Sequence, residues 1–181
     1  MARFIEGRHT TNTIVDDDLL ELTPATLRSM IPGDFFLLPN PISQGRALPE
    51  LTNCILMLHE KGLFVFDKQI QFGQIYGDAF GQFWESVNIF GDKVRFPSPY
   101  IGNQKNIRFY SSVLSLPEDR FHSVIVFNSE CDVRKAPRGK RLTVLHIEQL
   151  EEHFAKLLPT LPVQYTHAQL EALHDIFLLK L

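Results

Sequence analysis

Asp67 closes an apolar run, Leu63-Phe64-Val65-Phe66, and Lys68-Gln69 follow it directly. A carboxylate at the end of a hydrophobic strand is costly to desolvate without a partner or a metal ion. Two readings stay open on these residues alone: Asp67 faces water where the strand stops, or it is a buried acid with work to do. A second concentration of charge is Arg134, Lys135, Arg138, Lys140 and Arg141, around Pro137 and Gly139. Cations at this density can grip phosphates, and they can equally decorate a solvated hairpin tip. Lys105 and Arg108 extend the patch if the helix that carries them packs alongside.

Other chemistries find less support. The seven histidines form no HExxH pair, and His59, His122 and His146 fall at strand ends or turns, where structural roles are expected. No Gly-x-Ser-x-Gly supplies a serine nucleophile, and Cys54 lies inside an apolar strand, the setting of an inert buried thiol. Cys54 and Cys131 show no metal-binding spacing and suggest no disulfide framework, which fits a reducing, cytoplasmic compartment. Apolar stretches such as Ile55–Leu58 and Ile176–Leu179 are far shorter than a membrane span, and no hydrophobic signal core is expected near Met1.

The 181 residues suit one domain with a proper core, since 44% are hydrophobic and 22% charged. Lys and Arg number 18 against 21 Asp and Glu, so the formal net charge of −3 attracts no polyanion by itself. Nucleic-acid contact would need a local basic patch. Ile5-Glu6-Gly7-Arg8 matches a protease-cleavage sequence used in expression vectors, so residues 1–15 are set aside as an N-terminal arm, partly vector-derived on that reading, and 16–181 are taken as one domain.

Apolar periodicity places the elements that would hold these groups. Thr23-Pro24 reads as an N-cap and first helical residue, with Pro32-Gly33 as the stop, and Asp16 to Leu22 as an earlier turn. Phe35–Leu38 form a compact run before the proline-rich loop of Pro39, Pro41, Gly45 and Pro49. Cys54–Leu58 and Leu63–Asp67 read as a hairpin covered on both faces, turning at Glu60-Lys61-Gly62. Strands at 74–76, 83–87 and 93–96 continue it as a meander. A helix at 103–114, a strand at 123–127, a strand at 142–147, a helix at 148–158 and a last helix capped by Thr166 complete the chain. The architecture expected is α/β (α+β), with a central mixed sheet of about five or six strands flanked by helices. The last helix is apolar around its final turn, which suggests burial in the domain or against another chain.

Phe64-Val65-Phe66-Asp67-Lys68-Gln69, followed by Gly73-Gln74-Ile75-Tyr76-Gly77 and then Trp84, resembles the core of the nuclease-related domain (NERD) family. In that family an apolar strand ends in Glu-x-Lys, and a Gly-x-Ile-x-Gly strand with a downstream Trp follows. Gly62, Pro99, Asn103, the 123–127 strand and the helix from Thr166 join the resemblance, which reaches across about residues 16–181. It implies a restriction-endonuclease-like fold of the PD-(D/E)XK kind, where carboxylates from two adjacent strands hold a divalent ion and a lysine stands beside the scissile phosphate.

Carried over position by position, the resemblance is incomplete. The family's first-strand Asp falls on Cys54, with Asn53 beside it; its Glu becomes Asp67; its Lys falls on Gln69. Strand alternation sends Lys68 to the opposite face unless a bulge re-aims it. The family's Gln before the helix falls on Gly102, and Asn103 matches its Asn neighbour. Asp67, Lys68 and Gln69 therefore read as a vestigial catalytic site, with Asp67 a weak ligand for Mg²⁺ or Mn²⁺ if the site works at all. Losing one charge-stabilising donor commonly costs about 10²–10³ in rate.

Three functions are weighed. The first is a degenerate nuclease-related domain, catalytically weak or inactive, that binds nucleic acid or protein, with Arg134, Lys135, Arg138, Lys140 and Arg141 as the nucleic-acid contacts. The second is an active divalent-metal nuclease whose ligands have migrated to Asp78, Glu50 or the acids of residues 16–21. The third is an assembly subunit whose partner is another protein or a second copy of the chain. None involves a membrane.

Overall fold

The computed structural model describes residues 21–39 and 54–180. The expected turn at Asp16 to Leu22 lies mostly outside this range, as do most of the loop after Pro39, Glu50 and the acids at 16–18. Helix α1 (Pro24–Met30) begins where Thr23-Pro24 predicts: the Thr23 hydroxyl accepts from the Thr26 amide at 3.1 Å, and proline occupies the first turn. Strand β1 (Phe35–Pro39) follows, then the hairpin β2 (Cys54–His59) and β3 (Gly62–Gln69). Every residue of β2 and the first six of β3 are buried, as a run with no polar alternation requires.

The meander ends there. Strands β4 (Gly73–Gly77), β5 (Phe83–Val87) and β6 (Lys93–Pro97) form a separate sheet with the two-residue β8 (Cys131–Asp132), in the order β6-β5-β4-β8. The main sheet runs β1-β2-β3-β7-β9, with β7 at Phe121–Phe127 and β9 at Leu142–His146. β3 already has β2 antiparallel on one side and β7 parallel on the other, so no edge is left for β4. The mixed five-stranded sheet and the α+β class stand as expected; the single continuous meander is corrected to two sheets.

Helix α2 (Pro99–Leu114) starts four residues before the expected Asn103, because Ser98 caps it through the Ile101 amide and Pro99 enters its first turn. It makes the crossover from β6 to β7. Helices α3 (Leu150–Leu157) and α4 (His167–Lys180) end the chain, the latter capped by Thr166 and Gln169 reciprocally.

The two faces of the main sheet carry different cores. Ile55, Met57, Phe64, Phe66, Val124 and Val126 pack with Leu27 of α1 and Phe154 of α3. Leu56, Leu58, Leu63 and Val65 face Ile107 and Tyr110 of α2 and Leu170 and Phe177 of α4. A third core lies between the sheets, where Ile75, Trp84 and Phe96 meet Ile125, Phe127 and Val144. Helix α4 buries Leu170, Leu173 and Phe177 within the domain, while Leu178 and Leu179 stay exposed.

Candidate functional site

Asp67 lies at the C-terminal end of the central strand and is fully buried. The reading in which it merely faces water is thereby set aside. Alternation puts it on the face of Leu63 and Val65, beneath α2. It pairs in register with Cys54 on β2 and with Ile125 on β7. The position from which a neighbouring strand would offer a second carboxylate is thus Cys54. Burial, chiefly, pushes that thiol up to about 12, so it is a neutral S–H at any working pH. Its Sγ lies 3.7 Å from the Tyr110 hydroxyl.

Gln69 shares the face of Asp67, and its Nε2 donates to Asp67 Oδ2 at 2.8 Å. A neutral amide stands where the resemblance implies an ammonium. Lys68 leaves by the other face, with Nζ 3.3 Å from Glu21 Oε1 beside α1. The ladder with β7 runs through 67, 68 and 69 without an extra residue, so no bulge turns Lys68 back.

Above this row, α2 contributes amides that are also fully buried. Asn103 Nδ2 donates to the Val65 carbonyl at 2.9 Å and to Ser123 Oγ at 2.8 Å, and Asn106 Nδ2 donates to Asn103 Oδ1 at 2.9 Å. Sequence reasoning singled out Asn103 only through the resemblance and missed Asn106 and Ser123. Their signal was available: Asn103 and Asn106 are three apart on the apolar helix face that includes Ile107 and Tyr110, where a polar side chain must find a partner inside.

A divalent ion needs oxygen donors, commonly from one or two carboxylates. Among the described residues no group of three His, Cys, Asp or Glu side chains could hold a metal. The groups placed beside Asp67 by the strands, the Gln69 amide and the neutral Cys54 thiol, add no second carboxylate, so the described residues do not make an oxygen-rich site for Mg²⁺ or Mn²⁺. Of the migrated ligands, Glu21 is engaged by Lys68 on the opposite face. Asp78 caps the Phe80 amide at 2.7 Å in the β4–β5 turn.

The structure divides the basic cluster between two places. Arg134 forms two hydrogen bonds with Asp132, at 2.9 and 2.6 Å, and this pairing holds the Asp132 carboxyl well below the usual carboxylate range. Lys135 reaches Tyr76, its Nζ 5.2 Å from the ring centroid. Both therefore stand on the small sheet. Arg138 instead lines a cleft of about 430 Å³ along β9 and α3, together with His153 and Lys156. Arg141 lies near enough to His122 to reinforce the lowering of its pKa that burial begins. Lys140 is exposed in the same turn. Arg108, on α2, is 3.7 Å from Glu118 in the turn before β7.

The glycine-bracketed strand has a packing purpose. Gly73 has φ +82°, and a Cβ there would lie 2.3 Å from the Val87 carbonyl oxygen. At Gly77 a Cβ would lie 2.6 Å from the Trp84 ring, which crosses it and donates Nε1–H to the Asp78 carbonyl at 3.0 Å. Ile75, between them, is fully buried. Gly-x-Ile-x-Gly and the later Trp thus specify one interlocked piece of the small sheet rather than a ligand site.

Residues 55–128, from β2 to the end of β7, match the family model described as nuclease-related domain, NERD, whose general kind is PD-(D/E)XK-like. The matched segment contains Asp67, Asn103 and Ser123, and it leaves out Cys54 and the whole of the 134–141 cluster. Comparison with curated proteins and with solved structures gives no match.

Proposed function

We propose that this chain is a nuclease-related domain without metal-dependent phosphodiester cleavage at Asp67, and that it binds nucleic acid. The observation that carries the first half is the register of Cys54 with Asp67, together with the Gln69 amide on the Asp67 carboxylate. In-line attack on a phosphodiester requires charge to be stabilised as it develops, by metal or by a positioned cation. Here both flanking groups are neutral, and Lys68 is held by Glu21 on the far side of the sheet. The binding half rests on the nuclease-related segment and on cations displayed outside that pocket. Supercoiled, linear and single-stranded DNA incubated with Mg²⁺ or Mn²⁺ are expected to remain at the level of the protein-free control. Cleavage that requires metal and disappears in Asp67→Ala would refute the reading.

A second reading, assembly with another copy of the chain, draws on Leu178 and Leu179 at the end of α4. Concentration-dependent sedimentation that Leu178→Lys abolishes would favour it. A monomer at every concentration would count against it.

A further inference from the structure

The small sheet turns Ile75, Trp84 and Phe96 inward, so the alternate residues must look outward. Cross-strand register fixes who stands beside whom on that outer face: Tyr76 beside Glu85 and then Arg95, Gln74 beside Val87 and then Lys93, and Phe83 beside Pro97. Phe83 is 44% exposed, and the Arg95 guanidinium lies over its ring, 4.2 Å from the centroid. On the far strand, Lys135 covers Tyr76 and donates to its hydroxyl at 3.3 Å. The result is an aromatic floor between two cationic margins, Lys93 and Arg95 on one side and Arg134 and Lys135 on the other. These four outnumber the acids of the face, Glu85 and Asp132, in a chain whose formal net charge is −3.

We infer that this outer face binds single-stranded nucleic acid, with bases stacking on Phe83, Tyr76 and the Arg95 guanidinium and phosphates lying along the lysines. The inference rests on the binding half of the proposed function and gives that binding a place and a substrate class. Three properties favour a single strand. A guanidinium lying over a ring, as Arg95 does over Phe83, turns its outer plane to unpaired bases, which a duplex keeps stacked inside. Arginine planes accept stacked bases as readily as aromatic rings do. Rows of strands about 4.8 Å apart make a shallow platform rather than a ridge that could enter a groove. The positive excess is local, so affinity should fall as salt rises, while the stacking part persists.

The test is fluorescence anisotropy of a labelled oligothymidylate with the full chain, at low and moderate salt. Phe83→Ala and Arg95→Ala should each weaken binding about tenfold, and Phe83→Tyr should retain it. A variant with Arg138, Lys140 and Arg141 all changed to Ala should lose less affinity than either Phe83→Ala or Arg95→Ala does, and only through its salt-dependent part. Photocrosslinking read by mass spectrometry gives a measure that needs no variant: the adduct is expected on Tyr76 or Phe83. Unchanged affinity in both single-site variants, or adducts confined to 138–141, would overturn the inference and leave nucleic-acid binding itself intact. Tighter binding to duplex than to single strand would overturn the substrate class. No binding to either would overturn this inference together with the binding half of the proposed function, while the absence of cleavage would still stand.

Discussion

Asn103 ties the buried face of α2 to the main sheet. One amide joins α2 to β3 through the Val65 carbonyl and to β7 through Ser123, and it receives Asn106 on its other end. Asn103→Ala would remove a buried partner from the Val65 carbonyl, from Ser123 and from Asn106 at once. It is expected to cost about 2–3 kcal/mol, read as a lower urea midpoint at unchanged slope. Cys54 makes a complementary case. Burial raises its thiol to about 12 and that of Cys131 to about 11, so neither should react with a thiol reagent at neutral pH until the chain unfolds. Rapid labelling of Cys54 in the native protein would show that the pocket is open, contrary to the packing described. Strand alternation alone was enough to place Lys68 away from Asp67. What the sequence left open was whether Asp67 was buried, because that depends on α2, which lies more than thirty positions downstream.

Strand β4 shows both the reach and the limit of reading a pattern. Its bounds were legible because Gly73 and Gly77 interrupt apolar residues, yet its partners were not. A meander is the most local pairing available, and here it is defeated by β7, which comes back through α2 to take the free side of β3. No short-range pattern encodes that competition. The glycines themselves report the close approach of Val87 and Trp84. Gly77→Ala should force the indole aside and cost about 1–3 kcal/mol, and Trp84→Ala about 3–5 kcal/mol for the cavity it opens. If thermal unfolding shows Gly77→Ala to be neutral, the indole does not rest on that strand as described.

Three histidines connect the whole fold to pH. His59 takes the Lys61 amide on Nδ1 at 3.0 Å and donates to the Pro32 carbonyl, a pairing that only the neutral ring can make. His122 stacks on Phe64, and His153 lies beside Phe154. Burial, first of all, lowers the pKa of each; Arg141 adds to the effect at His122 and Arg138 at His153. The unfolded chain, with histidine near about 6.5, therefore binds protons before the native chain does, so stability is full above that pH and declines below it. Urea midpoints should fall from about pH 7 to about pH 5, and less steeply in His122→Gln. A flat profile over that window would contradict the burial of these rings.

On the proposed reading, the surroundings of Asp67 lack the charges to hold a divalent ion. The most direct test of that claim is a Mn²⁺ titration followed by electron paramagnetic resonance, which separates free from bound ion without depending on any substrate. The expected result is that the free-ion signal rises in proportion to added Mn²⁺, with no stoichiometric site at micromolar affinity. One ion bound per chain, and lost in Asp67→Asn, would contradict the claim.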